Sequence, residues 1–377
     1  MFSASNSALV IYSDGIFTRY SATSANHTNG GLQNDLIAFL SIAQKCNVDF
    51  LPITWQPALG NLGEGGSGTI SQSTFNADMS LAFKQFHYSR DSDMNFLPLM
   101  SEVLILSQPP IQNHPNIINL EGICWEIKPY TEKAIPVLVF EKAAWDLHQF
   151  MNVPESMNMS IEERLKICAD IGSAIMALHD YGLLLQMIFA FWKSDIDTGV
   201  IHGDIKPHNV LVFKDATTGK TSIKVADFGY STLVAGEASA MGKEPTVAEV
   251  KIFLPKSRPW NAPEHHFGEF TATEAKKTDV YSFGMLCLWV LFGSLRIPPI
   301  STEYRFDGAT GPLTSLEVLK YDDKMEHFVS QFLESMPGLN VECRKCLAEF
   351  FSITVPLNPE KRTSDLRRLI RLLSQEQ

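Results

Sequence analysis

Residues 201–212 read IHGDIKPHNVLV, a polar turn followed directly by an apolar run. Within it, Lys206 lies two residues after Asp204, and Asn209 lies five residues after Asp204. Downstream, a strand-like run ends in Ala226-Asp227-Phe228-Gly229. Asp-Phe-Gly alone is a common turn sequence, but its place after this particular stretch makes the combination specific. These two segments therefore decide the fold.

A glycine-rich segment, GEGGSG at 63–68, lies upstream between two strand-like runs. Gly63, Gly65 and Gly68 allow backbone N–H groups to come close to phosphates, because no Cβ atom stands in the way. A dinucleotide-binding fingerprint needs a helix directly after the glycines, whereas residues 69–75 read as a strand. A flexible hairpin tip is the other interpretation of this segment taken alone.

Together these segments resemble the motifs of the protein kinase family. In that family the position of Asp204 carries the base that orients the substrate hydroxyl, and the positions of Asn209 and Asp227 carry the magnesium ligands. Lys206 matches the lysine with which Ser/Thr-directed members steady the transferring phosphoryl group, and Ser257 falls at a position where they carry Ser or Thr. The resemblance implies a serine/threonine kinase that uses ATP and Mg²⁺ and acts on protein substrates.

Lys84 extends the resemblance toward the N-terminus. It ends the run Leu81-Ala82-Phe83-Lys84, which resembles the strand whose lysine holds the α- and β-phosphates of ATP. Its implied carboxylate partner is Glu102, which lies on the helical run that follows. Asp91 and Asp93 compete for this role but precede the helical run.

The resemblance also implies an adenine pocket, carried over by position alone. Ile70 and Ala82 would form its roof, and Leu211 would form its floor. The backbone of Glu141 to Ala143 would form the hinge. Phe140 would stand at the back of this pocket. Three later runs resemble architectural motifs of the family: WNAPE at 260–264, DVYSFG at 279–284 and NPEKR at 358–362. The first and last of these imply a buried ion pair between Glu264 and Arg362.

The order of strand-like and helical runs predicts an α+β chain with two lobes. Short strand-like runs and one helix, Leu97–Leu106, occupy about 50–140, and helical periodicity prevails beyond 146. We expect a small, mainly antiparallel lobe at 49–141, a larger helical lobe at 142–377, and a ligand cleft between them. The remaining residues, 1–48, form an N-terminal extension.

The N-terminal extension contains one expected helix. Asn34 or Asp35 would cap it. Its expected apolar face, which would dock the helix, consists of Leu36, Ile37, Leu40 and Ala43.

The amino-acid composition indicates which classes of partner and which cellular compartment to expect. The 377 residues include 45% apolar and 19% charged residues, as in ordinary globular proteins. A formal net charge of -11 argues against nucleic acid or an anionic membrane as a partner, because such binding depends on Lys and Arg. Six scattered cysteines indicate free thiols in a reducing compartment, and we expect a cytoplasmic protein. Cys343 and Cys346 form a lone C-x-x-C without the further ligands of a zinc site.

Two departures from the family pattern leave alternatives open. Gly203 replaces the arginine that commonly precedes the catalytic aspartate, and small-molecule kinases of the aminoglycoside and choline kinase kind also use His-Gly-Asp. A catalytically silent kinase-like scaffold is the other alternative. The second departure is an extra segment from Leu183 to about Gly199, which is either an extended helix packed locally or a docking patch for a partner.

Overall fold

The computed structural model describes residues 35–55, 59–64, 68–74, 80–86, 95–127, 134–188, 199–215, 217–234, 252–292, 320, 325–336 and 338–374. Gly65, Asp91 and Asp93 lie outside these residues, as does 189–198 of the extra segment.

Six strands form the larger sheet in the order β1-β5-β6-β4-β3-β2. Their bounds are β1 Phe50–Trp55, β2 Leu59–Glu64, β3 Gly68–Thr74, β4 Ser80–Phe86, β5 Leu120–Ile127 and β6 Ala134–Glu141. Only the pairing of β1 with β5 is parallel, so the expected mainly antiparallel sheet is confirmed.

The two faces of this sheet belong to different clusters of buried side chains. Leu81 and Phe83 of β4 pack with Val137 and Val139 on one face. Ala82, between them, belongs to the main core on the opposite face. This alternation is the period of two that a strand imposes, and it turns Ala82 and Lys84 toward the rest of the molecule.

Helix α1 covers Leu36–Lys45, and α2 covers Leu97–Leu106 as expected from the sequence. Asp35 is the capping residue of α1, since its side chain accepts a hydrogen bond from the Ala38 N–H at 2.9 Å. The predicted apolar face of α1 is confirmed in part. Ala43 is buried, and Leu36 and Leu40 pack against the main core, but Ile37 is 75% exposed. The prediction missed Phe39 and Ile42, which are buried. Seven of the ten residues of α1 are apolar, so the packing against α2 selects the face.

Eight further helices are present among the described residues, and seven of them follow residue 146. They are α3 Pro109–Gln112, α4 Leu147–Phe150, α5 Pro154–Met157, α6 Ile161–Ile188, α7 Ala272–Phe292, α8 Met325–Ser335, α9 Val341–Ser352 and α10 Leu366–Ser374. Helix α6 continues into the extra segment as far as Ile188, which supports the extended-helix interpretation there. None of the helices among the described residues is long and apolar enough to cross a membrane.

Helix α7 begins seven residues before its expected start at Asp279. Its first turns are polar and therefore lack apolar periodicity. They are fixed by a capping box, in which the Glu274 carboxylate accepts the Thr271 N–H at 2.8 Å and the Glu274 N–H donates to Thr271 Oγ at 3.3 Å. Beyond this point α7 is buried on all sides and forms the centre of the helical lobe.

Short strands place the polar segments of the second lobe. The bounds are β7 Trp145–Asp146, β8 Gly199–Ile201, β9 Val210–Lys214, β10 Thr221–Val225 and β11 Thr232–Val234. Strands β9 and β10 are antiparallel neighbours, so the residues before β9 and those after β10 meet at one end. The Ala226 N–H donates to the Asn209 carbonyl at 2.9 Å. Asn209 and Asp227, which are remote in sequence, are thereby brought to the same place.

Candidate functional site

Asp279 of α7 fixes the turn that carries Asp204. Its carboxylate accepts the backbone N–H groups of His202 and Gly203, both at 2.8 Å, and contacts His179 Nε2 at 2.9 Å. Asp279 is buried, and three hydrogen bonds offset the cost of burying its charge. The sequence pointed to the run 279–284 as architecture but did not assign this role, because the partners are far away along the chain.

The Asp204 carboxylate has two different ends. Its Oδ2 atom accepts Lys206 Nζ at 2.6 Å and Asn209 Nδ2 at 3.1 Å. Its Oδ1 atom is buried and has no hydrogen-bond partner among the described residues. Lys206 Nζ also contacts Ser257 Oγ at 3.2 Å. One oxygen is thus fixed by the protein, and the other can accept a hydrogen bond from a ligand hydroxyl.

Lys84 joins the two lobes. Its Nζ atom lies 2.6 Å from Glu102 Oε2 on α2 and 2.7 Å from Asp227 Oδ1. Lys84 and Glu102 are 4% and 1% exposed, so these contacts are made almost without water. The Glu102 carboxylate also accepts the backbone N–H of Phe228. The pairing of Lys84 with Glu102 implied by the sequence is present, and it includes Asp227 as a third partner.

The buried charges of this cluster shift one another's pKa values. Burial alone would lower the pKa of Lys84, but the charges of Asp227 and Glu102 outweigh it and raise that pKa above its ordinary value. Burial raises the pKa of Glu102, the Asp227 charge adds to this effect, and Lys84 opposes it. Lys84 is therefore a cation at neutral pH, held between two carboxylates.

Asp227 has an unusual backbone conformation. Its φ angle is 66°, in the left-handed region, which Asp occupies more readily than most residues with a side chain. The chain after it is anchored, because Ser231 Oγ donates to the His202 carbonyl at 3.0 Å and Ser101 Oγ of α2 donates to the Ser231 carbonyl at 2.8 Å. Sequence reasoning missed Ser101, since an isolated serine on a helix forms no recognisable pattern.

The residues assigned to the adenine pocket lie along the inner side of the sheet and on β9. In the sheet register, Ile70 lies opposite Lys84, and Ala82 lies opposite Phe140. Leu211 of β9 packs against the main core.

The expected hinge follows strand β6, and the glycine-rich segment lies at the ends of strands β2 and β3. The Glu141 side chain accepts Lys224 Nζ at 2.5 Å and the Asn119 N–H at 3.1 Å, and Ala143 directly follows in the link between the lobes. Gly63 lies in β2 opposite Ile70, and Gly68 begins β3.

Asn209 and Asp227 fit the donor set of a hard divalent cation. Asn209 Nδ2 donates to the Asp204 carbonyl at 2.8 Å, so the amide oxygen is the end left for a cation. Carboxylate and amide oxygens are the ligands that Mg²⁺ accepts in proteins. Among the described residues, His, Cys, Asp and Glu side chains form no group of three or more that could hold a metal. The C-x-x-C of Cys343 and Cys346 lies on α9, with both thiols free.

Gly203 adopts a backbone conformation that favours glycine, with a φ angle of 77°. A Cβ atom built on it would lie 2.8 Å from Leu254 Cδ2, so a side chain here would also require the buried Leu254 side chain to shift.

Comparisons with known proteins agree with this geometry. The family model for the protein kinase domain matches residues 58–370. Wall-associated receptor kinase 1 of Arabidopsis thaliana is 29% identical over 235 residues, which cover 62% of this chain and 26% of that protein. Calmodulin-binding receptor-like cytoplasmic kinase 1 of the same species is 28% identical over 232 residues, which cover 62% of this chain and 42% of the relative.

Putative wall-associated receptor kinase-like 16 of Arabidopsis thaliana is 30% identical over 279 residues, which cover 70% of this chain and 54% of that protein. The chain thus spans from about a quarter to about half the length of these relatives. The family match covers most of the chain, including every segment that forms the Lys84 and Asp204 clusters. This chain belongs to the protein kinase family.

Proposed function

We propose that this protein is a serine/threonine kinase that transfers the γ-phosphoryl group of Mg-ATP to hydroxyls of protein substrates. The observation that carries the proposal is the Asp204 carboxylate, with Oδ2 fixed by Lys206 and Asn209 and with Oδ1 buried and without a described partner. Phosphoryl transfer depends on positioning and charge stabilisation more than on covalent chemistry, and this arrangement provides both.

Each polar group then has one task. Asp204 Oδ1 accepts the hydrogen of the acceptor hydroxyl and aims its oxygen at the phosphorus. Lys206 steadies the transferring group, and Lys84 binds the α- and β-phosphates while Glu102 holds it in place. Asn209 and Asp227 would hold Mg²⁺, which supplies positive charge to the phosphate oxygens when it is bound.

Several observations favour this proposal over the alternatives. The contact of Lys206 with Ser257 at 3.2 Å links the catalytic turn to the segment that leads to Glu264, and small-molecule kinases generally lack both that lysine and the Glu264–Arg362 pair. The scaffold alternative does not explain why Lys84, Glu102 and Asp227 are all present and in contact. We also propose a cytoplasmic location, for which the free state of all six cysteines is the support.

We expect the purified chain to phosphorylate serine or threonine in a generic protein substrate, and to transfer nothing to aminoglycosides or choline. Labelled ATP with the three acceptor classes in parallel, followed by mass spectrometry of the product, measures this.

Mg-ATP at a hundred times its dissociation constant should stabilise the fold by about 2.7 kcal/mol, which a thermal shift detects. A folded protein that shows no shift with millimolar Mg-ATP contradicts both the protein-kinase and the small-molecule-kinase assignments.

Activity is expected to depend little on phosphorylation of the segment between Asp227 and Glu264. An arginine at position 203 would pair with a phosphate there and order the segment, but Gly203 has no side chain with which to do so. Ser231 and Thr232 are also buried, so they are not exposed acceptors in this structure.

Phosphatase-treated enzyme should therefore keep its activity within about threefold of untreated enzyme, well under the roughly tenfold that 1.4 kcal/mol would produce. Treatment with heat-inactivated phosphatase is the control. A hundredfold drop that rephosphorylation of one residue restores would mean that another basic side chain has replaced the missing arginine.

A further inference from the structure

Helix α1 and strand β1 precede residue 58, where the kinase family match begins, yet both are built into the small lobe. Helix α1 packs on α2. Its Phe39 side chain is fully buried, and the Phe39 and Phe96 rings lie 6.0 Å apart between centroids, beside the start of α2. This addition to the matched domain therefore touches the helix that carries Glu102.

The segment after α1 is attached at two further places. Burial raises the pKa of the Cys46 thiol, directly after α1, and the side chain of Ser107, directly after α2, lies close enough to lower it. The Ile123 N–H of β5 donates to the Asp49 carbonyl at 2.9 Å, and β1 then pairs with β5. Gly122 permits this approach, because a Cβ atom there would lie 2.7 Å from the Asp49 oxygen. Both ends of α2 are thus in contact with residues that precede the matched domain.

Helix α2 has two contacts that lead to the catalytic residues. Glu102 contacts Lys84 at 2.6 Å. Ser101 Oγ donates to the Ser231 carbonyl, and Ser231 Oγ in turn donates to the His202 carbonyl. The N-terminus of α2 has no side-chain cap from its capping residue, Phe96. Asn95 Oδ1 accepts the Leu97 N–H at 3.1 Å, and the packing of Phe96 against Phe39 adds an apolar support at the same end.

We propose that α1 holds α2 in the position at which Glu102 reaches Lys84, with Phe39 as the positioning residue. This inference rests on the proposed function, since the consequence of a displaced α2 is a misplaced phosphate-binding lysine. Residues 35–55 then stabilise the position of α2 that catalysis needs. They lie outside the part of the chain that the family match covers.

The full-length chain with Phe39→Ala tests the proposal, with Ile37→Ala as the matched control. Both residues lie on α1, but Ile37 is 75% exposed and Phe39 is fully buried. In Phe39→Ala we expect kcat to fall about tenfold with little change in the KM for the protein substrate, and the backbone amides of 97–106 to exchange hydrogen about tenfold faster. Ile37→Ala should change neither. Phe39→Leu, which keeps an apolar side chain, should recover most of the loss.

A second arm separates positioning from general damage. In a Glu102→Gln background, Phe39→Ala should lower kcat no further, because the contact through which it acts is already broken. An equal tenfold loss in that background, or unchanged exchange at 97–106, overturns the proposal. If Phe39→Ala does not fold, Ile42→Ala on the same face carries the same test. If the unaltered chain transfers no phosphoryl group, the proposed function fails, while the exchange comparison still decides whether α1 holds α2.

Discussion

Asp204→Asn is expected to lower kcat by about a thousandfold, within the range for loss of a catalytic acid or base, while Mg-ATP binding stays almost intact. The carboxylate is fixed at Oδ2 by Lys206 and Asn209, and its buried Oδ1 atom has no partner among the described residues, which under the proposed function leaves it for the acceptor hydroxyl. An amide removes the negative charge and halves the number of acceptor oxygens. The loss should therefore appear in the chemical step, since Asp204 holds no part of the nucleotide.

Single-turnover kinetics and a Mg-ATP thermal shift on the same preparation measure the two effects separately. Asp170→Asn is the matched control, because it makes the same chemical change in a carboxylate that pairs with Lys166 at 2.7 Å on the surface of α6. That variant should behave as the unaltered protein does. If Asp204→Asn keeps more than a tenth of the activity, Asp204 is not the residue that positions the acceptor, and the catalytic assignment fails.

The grouping of the residues around Asp204 could be predicted from the sequence because its information is local. Asp204, Lys206 and Asn209 lie within six residues of one another, so one turn brings them together wherever the turn is placed. The α2 helix was equally predictable, since Leu97–Leu106 is a mostly apolar run of helical length, interrupted by Ser101 and Glu102 and with Pro98 near its start.

The contacts between distant segments could not be predicted in the same way. Nothing near Gly203 in sequence indicates that Leu254 fills the space beside it, because the two residues meet only after the chain has folded. The hydrogen bonds of Asp279 and Ser101 were missed for the same reason. The face of α1 was assigned only in part, since seven of its ten residues are apolar and the ring of Phe96, just before α2, helps decide which of them are covered.

Arg362→Ala is expected to lower the free energy of unfolding by about 3–5 kcal/mol, which is the usual cost of removing one partner from a buried ion pair. Arg362 Nη1 and Nη2 contact the two oxygens of Glu264 at 2.5 and 2.9 Å, and the two side chains are 0% and 12% exposed. The guanidinium also donates to the Pro356 carbonyl at 2.9 Å and lies over the Tyr281 ring. The substitution would therefore leave a carboxylate and a carbonyl without their donor.

Arg368→Ala is the matched control for this measurement. Arg368 Nη2 contacts Glu349 Oε1 at the same distance of 2.5 Å, but these side chains are 48% and 45% exposed. Water and salt screen an exposed pair, so this variant should lose at most about 1 kcal/mol. Urea unfolding of both variants gives the comparison. If both variants lose the same free energy of unfolding, burial adds nothing to the Glu264–Arg362 pair. If both losses are small, other contacts anchor the segment that ends at Glu264.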